Sequence, residues 1–312
     1  MARTDRRRAA SCLVARTSYR VETVHHTRSA KQMRHGESLP PDEVIEVPPS
    51  SPPRSVLDAF GLVEPPRLLS GGQGASWLSG GLVLKPESGA IHDWFATVAS
   101  TISPQGFRLA TPLQSGFGTW SVDGWSATTW LPGSPPDLST SMGWATVLAA
   151  GRAFHASTSS LSRPSVLSTR TDRWAAADRM AWGEQNGELR PEFADVARRL
   201  GPLLMPLGEP QIVHGDLTLN VLLEPGLAPA IIDVSPYWRP TAYAEGVIVA
   251  DALCWHGADR SLVEQLGVPA PAIARALLFR MLTTAQSPER AVTGSLSDEL
   301  QRYERAATVL GT

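Results

Sequence analysis

Lysine is almost missing from this 312-residue chain, which has 26 arginines but only two lysines, Lys31 and Lys85. A phosphate-binding loop of the G-x-x-x-x-G-K-[ST] kind needs a glycine directly before its lysine, and here the preceding residues are Ala30 and Leu84. That loop is excluded. Cysteine is as scarce, with Cys12 in an arginine-rich segment and Cys254 in an apolar run, so neither a disulfide framework nor a zinc site is expected. Long apolar runs are also lacking. The best, GVIVADALCW, is interrupted by Asp251, far short of the ~18 residues that a membrane span requires. The formal charge of −2 gives no reason to invoke nucleic acid or an anionic membrane as partner, although it leaves room for local patches. The basic N-terminus has only a short, arginine-broken apolar stretch and makes a poor secretory signal, so a reduced, cytoplasmic setting is expected.

What is present falls into three parts. Residues 1–53 hold nine of the 28 basic residues and end in EVPPSSPPR; they read as a disordered tail and proline-serine linker, with Met33 as an alternative start. Residues 54–130 read as a strand-rich N-terminal lobe. PRLLS, ASWLSG, GLVLKP, RLATPLQS and GWSATTWL are short, apolar and punctuated by Gly and Pro, which predicts an antiparallel sheet of about five strands. One helix interrupts it at 88–102, where Ile91, Phe95, Val98 and Ile102 share a face. Residues 131–312 read as mainly helical, with helices near 138–158, 171–184, 192–204, 241–257, 270–285 and 297–310 around one β-rich island at 211–236. The fold class is α+β, in two lobes. No internal repeat is present.

Three features carry candidate chemistry. LSGGQGAS at 69–76 carries the cassette-ATPase signature peptide, yet without the lysine loop it is better placed as a glycine-rich loop between two short strands. Lys85 closes the apolar run LVLK, where its head would lie at a sheet edge as a point charge for phosphate; taken alone it reads as readily as a surface lysine. VHGDLTLN sets His214, Asp216 and Asn220 within seven residues, and IIDV adds Asp233. Carboxylates and a carboxamide at the ends of paired strands suit Mg²⁺ with substrate phosphates, while each segment alone also reads as turn and cap residues.

The order glycine-rich loop, strand lysine, H-G-D with a following Asn, apolar strand and I-D resembles the aminoglycoside phosphotransferase family, with its protein-kinase-like fold. AIIDVSPYWRP and VADALCWHGA look like an actinobacterial group within it, over roughly 56–311. The resemblance implies that Gly71, Gly72 and Gly74 cover the phosphates of ATP or GTP and that Lys85 contacts the α- and β-phosphates. Asp216 would be the catalytic base, Asn220 and Asp233 would hold Mg²⁺, and His214 and Asp251 would support the loop. Trp130 would stand at the hinge, its backbone meeting the base of the nucleotide. The acceptor would be a hydroxyl of a small molecule; the many tryptophans and mixed charges of the C-terminal helices suggest one less cationic than an aminoglycoside.

Three departures stand out. Asp216 and Asn220 are four apart where the family has five; V-S replaces F-G after Asp233; and the helix after Lys85 has no glutamate in its body, leaving Asp93 as the expected partner of the lysine. The short loop keeps a second reading open, a pseudokinase that binds nucleotide without transfer. Metal-assisted hydrolysis by His214, Asp216 and Asp233 is a third, which leaves Lys85 without a role.

Overall fold

The structure is a computed structural model that describes residues 50–69, 75–87, 89–286 and 296–312. The glycines expected over the phosphates, Gly71, Gly72 and Gly74, lie outside the described residues.

The N-terminal part is a five-stranded antiparallel sheet. Its strands are β1 (Arg67–Leu68), β2 (Trp77–Ser79), β3 (Leu82–Lys85), β5 (Ser121–Val122) and β6 (Trp125–Thr129), in the order β1-β2-β3-β6-β5. Two of its hairpins turn on residues that tolerate positive φ, as tight turns matching strand twist require. Gly80 and Gly81 join β2 to β3, and Asp123 and Gly124 join β5 to β6. One face is backed by a short helix, α1 (Arg54–Ala59), which buries Val56 and Leu57 against Leu62, Leu84, Trp125 and Ala127. No helix was expected between Arg54 and the first strand; the apolar pair Val56–Leu57 is too short for a period to show in sequence.

The strand expected within RLATPLQS does not belong to this sheet. Its Arg108–Leu109 (β4) runs parallel to β9 (Ala230–Ile231) in the lower part of the molecule, and β9 pairs antiparallel with β8 (Val221–Leu222). Pro112 makes only an isolated bridge to Thr128. The fifth strand of the upper sheet is Ser121–Val122, which was not among the expected strands and is only two residues long. Between β3 and β4 stands α2 (Ala90–Ala99), inside the span expected to be helical, with Phe95 buried.

The lower body is mostly helical: α3 (Ser141–Thr158), α4 (Arg173–Ala181), α5 (Ala194–Leu200), α6 (Thr241–Trp255), α7 (Arg260–Leu266), α8 (Ala270–Ala285) and α9 (Leu296–Val309). Only α7 had no counterpart among the expected helices. Helix α6 is apolar all round and buried along nearly its whole length, which marks it as the central post of the body. Gly246 lets α8 approach it: a Cβ there would lie 2.4 Å from the Ala272 carbonyl oxygen. The remaining strands, β7 (Gln211–His214) and β10 (Pro236–Arg239), pair antiparallel along the body's upper edge. The link between sheet and body passes through Gly133, whose φ of 146° and close approach to the Leu223 carbonyl leave no room for a side chain. No described helix is long and apolar enough to cross a membrane.

Candidate active site

β7 ends at His214, and the chain then makes a tight loop through Gly215, Asp216, Leu217, Thr218, Leu219 and Asn220 before entering β8. Gly215 is dictated by packing, since a Cβ there would lie 2.4 Å from the Tyr237 ring. Leu217 is buried and anchors the loop against Gly151 of α3. Leu219 takes φ of +66°, left-handed backbone that a leucine rarely adopts, and the Asn220 N–H donates to the Leu217 carbonyl at 3.0 Å. This is how a loop one residue short still closes.

His214 is fully buried and tied on all sides. Its Nδ1 accepts from the Asp216 N–H at 3.1 Å, so the neutral ring carries its proton on Nε2, which faces the Ile232 carbonyl at 3.4 Å. Its own N–H donates to His155 Nε2 at 3.1 Å. Burial lowers His214 to about 4, against smaller upward pulls from the Ile232 carbonyl and Asp233. Burial, and then the neighbouring His214, take His155 to about 3. Both rings are neutral near pH 7 and act as a scaffold. The imidazole at 214 links the residue before Asp233 to the backbone of Asp216.

The Asp216 carboxylate is half-exposed. Arg280 of α8 donates to it from Nη2 at 3.2 Å and, through Nε and Nη2, holds both oxygens of buried Asp251 at 2.8 and 2.7 Å. Burial pushes the Asp251 carboxyl up and Arg280 pulls it back; burial likewise opposes the charge of Arg280, and the two acids more than restore it. A guanidinium does not surrender its proton in a protein, so the three groups stand as acid, cation, acid. Sequence reasoning required a donor for a buried Asp251 but did not find Arg280. The signal available was a lone arginine in the apolar run LLFRML, on a helix that buries most of its length.

Asn220 donates from Nδ2 to the Asp216 carbonyl at 2.7 Å, which leaves its side-chain oxygen as a free ligand atom. The Ile232 N–H donates to the Asn220 carbonyl at 3.0 Å, so Asp233 begins beside Asn220. Asp233 itself has φ of +53°. From the sheet above, Lys85 Nζ reaches Asp233 Oδ1 at 2.8 Å, with the side chains 23% and 48% exposed. Asp93, the partner expected for Lys85, instead faces solvent and its neighbour His92 at 3.4 Å. The lysine at the end of β3 points down toward the lower strands rather than sideways to α2, and a carboxylate one methylene shorter than glutamate does not close the gap.

Trp130 follows β6 at the link between sheet and body, and its ring is partly exposed. Its N–H donates to the Gly81 carbonyl at 3.0 Å. Trp144, counted among the tryptophans that suggested an acceptor, is core, and Trp182 is clamped between Arg239 and Arg275 at 4.8 and 4.4 Å.

The donor set suits a hard divalent cation. A carboxylate, at present engaged by Lys85, and a carboxamide oxygen on adjacent strand ends are of the kind that Mg²⁺ takes beside phosphate oxygens.

Residues 86–234 match the model of the phosphotransferase enzyme family. No curated protein sequence matches the chain. Among solved structures, aminoglycoside phosphotransferase from Alicyclobacillus acidocaldarius superposes with a TM-score of 0.56 at 17% identity, over 84% of this chain and 96% of that one. A thermostable mutant of aminoglycoside phosphotransferase APH(4)-Ia, in ternary complex with AMP-PNP and hygromycin B, gives 0.51 at 14% identity over 82% and 97%. Another mutant of that enzyme, with ADP and hygromycin B, gives 0.50 over the same shares. The fold is therefore that of the aminoglycoside phosphotransferases, and the resemblance carried by the H-G-D and I-D segments holds.

Proposed function

We propose that the protein is a Mg²⁺- and ATP-dependent phosphotransferase acting on a hydroxyl of a small molecule. The observation that carries this reading is the 2.8 Å meeting of Lys85 with Asp233 across the cleft, beside a loop in which Asn220 and Asp216 share a hydrogen bond. Phosphoryl transfer asks a protein chiefly to position reactants and offset charge. Lys85 would leave Asp233 for the α- and β-phosphates, with Gly71, Gly72 and Gly74 above them. Asn220 and Asp233 would hold Mg²⁺, which when bound offsets the charge of the phosphates. Asp216 orients the acceptor hydroxyl and takes its proton as that oxygen bonds to the γ-phosphorus and the bond to the β-phosphate oxygen breaks. Arg280 fixes the carboxylate of Asp216 and keeps it from turning into the body. Adenine nucleotides in the APH(4)-Ia complexes favour ATP over GTP.

A second reading, a pseudokinase, draws on the one-residue contraction between Asp216 and Asn220. The bond from Asn220 Nδ2 to the Asp216 carbonyl speaks for a working loop. The discriminating variant is Asp216→Asn, assayed for ATP consumption with a panel of sugars, amino alcohols and nucleosides. A working enzyme loses about 10³-fold in turnover and binds AMP-PNP as before. A wild type that binds AMP-PNP but turns over no panel member, nor hydrolyses ATP, would instead be a binding module.

A further inference from the structure

Beside β10, with Tyr237, Trp238 and Arg239 in its wall, lies a cavity of about 120 Å³. Its lining includes Arg163, Arg170, Arg179, Asp178, Glu184 and Tyr237, and Arg239 closes one wall. Their charges do not balance. Arg239 is held by both Asp178 and Glu184, with Nη2 at 2.6 Å from Asp178 and 2.9 Å from Glu184. Arg170 is paired with Asp172 at 2.9 Å. Arg179, by contrast, touches only neutral oxygens, Gln185 Oε1 at 2.9 Å and the Arg170 carbonyl at 3.0 Å. Arg163 makes no hydrogen bond or ion pair among the described residues, and both Arg163 and Arg179 feel Glu184, itself committed to Arg239, only at longer range. Four guanidinium groups therefore line the cavity with two carboxylates, Asp178 and Glu184; Asp172, outside the lining, holds Arg170, and Arg163 and Arg179 have no carboxylate in hydrogen-bond contact.

The cavity is next to the chemistry. Tyr237 pairs with Val213 of β7, and its ring packs against Gly215, the residue before Asp216. Arginines with fork-shaped donors and no acid partner are built for a planar or tetrahedral anion.

We propose that the acceptor carries an anionic group, a carboxylate or a phosphate ester, which is seated in this cavity by Arg163 and Arg179 while its hydroxyl reaches Asp216. This rests on the phosphotransferase reading and narrows it: an acidic acceptor replaces the polycation that an aminoglycoside presents. Seating such a group between half-buried Arg179 and exposed Arg163 gives specificity as well as affinity, because a neutral analogue leaves the cavity's positive surplus unanswered.

Two arms test it. In the first, sulfate and malonate are titrated at constant ionic strength into wild type and Arg163→Gln, both in a Lys85→Met background so that anions drawn to the nucleotide site are set aside. Arg163 is exposed and makes no bonds that the fold needs, so its variant should fold; Arg179→Gln is the second probe, checked first for an unchanged melting temperature. Saturable binding that weakens about tenfold in either variant supports the proposal. No saturable binding, or equal binding in both proteins, overturns it, whether or not the chain is a kinase. In the second arm, phosphoryl transfer is compared within matched pairs: glycerate and glycerol 3-phosphate against glycerol, and gluconate against glucose. Preference for the charged members, with KM rising in Arg163→Gln, is expected, and the two anion types separate carboxylate from phosphate ester. Equal or better use of the neutral members would overturn the proposal, whereas absence of all transfer would instead sink the phosphotransferase reading, leaving the titration to decide the cavity.

Discussion

The sheet above the cleft and the helical body below it are held by different means. The sheet's own core is thin, with Val56, Leu57, Leu62, Leu84, Trp125 and Ala127 as its buried cluster, and its ion pair to the body, Lys85 with Asp233, is open to water. The body packs α6 and α8 through a continuous apolar interior. Its ion pair, Arg280 with Asp251, has side chains only 15% and 7% exposed. Water weakens the first pair and leaves the second at full strength, since exposed pairs contribute little and a buried pair is costly to break. The lysine pair is one that a nucleotide can exchange; the arginine pair is one that must stay.

The sharpest way to break this contrast is to delete Arg280. Arg280→Ala leaves the Asp251 carboxylate buried and uncompensated, and about 3–5 kcal/mol of stability should be lost in urea unfolding. A loss under 1 kcal/mol would mean that the body tolerates the change as the sheet would. A smaller effect is expected from pH. His214 titrates at about 4 when folded and at about 6.5 when unfolded. The folded state therefore binds fewer protons, stability is complete above about pH 6.5, and it falls as pH drops toward 4, by about 3 kcal/mol for this ring. Buried His155, at about 3, steepens the same fall. Unfolding free energy measured from pH 7.5 to 4.5 should show the slope, and His214→Asn should flatten it; a flat wild-type profile would contradict the buried neutral pair. The smallest effect belongs to the sheet: Lys85→Met should cost no more than about 1 kcal/mol, the range of exposed pairs.

The same contrast explains what the sequence revealed. The body's long helices and the apolar runs beside His214, Asn220 and Asp233 have periods and lengths that sequence displays, and the expected helices 270–285 and 241–257 coincide with α8 and α6 or end within two residues of them. The polar residues expected to share a site lie on one loop and two adjacent strand ends. Strand membership was less legible, because Arg108–Leu109 and Ser121–Val122 are two-residue strands, and which sheet takes them depends on partners over a hundred residues away or across a turn. Arg280 was hidden for the same reason: its two acids, Asp216 and Asp251, lie 64 and 29 residues before it, and only the packing of α8 on α6 brings them together. Lys85 was singled out by scarcity, and its partner was hidden: Asp93 is the nearer acid in sequence, whereas Asp233 is the one it meets in space.

The central claim is that the groups meeting at the cleft, Lys85 from the sheet and Asp233 from the body, form a nucleotide site. Calorimetric titration of AMP-PNP, with and without Mg²⁺, into wild type, Lys85→Met and Asp233→Asn tests it most directly. The account predicts binding that is strengthened by Mg²⁺ in wild type, weakened about tenfold or more in Lys85→Met, and no longer responsive to Mg²⁺ in Asp233→Asn. Equal affinity in all three proteins would contradict it.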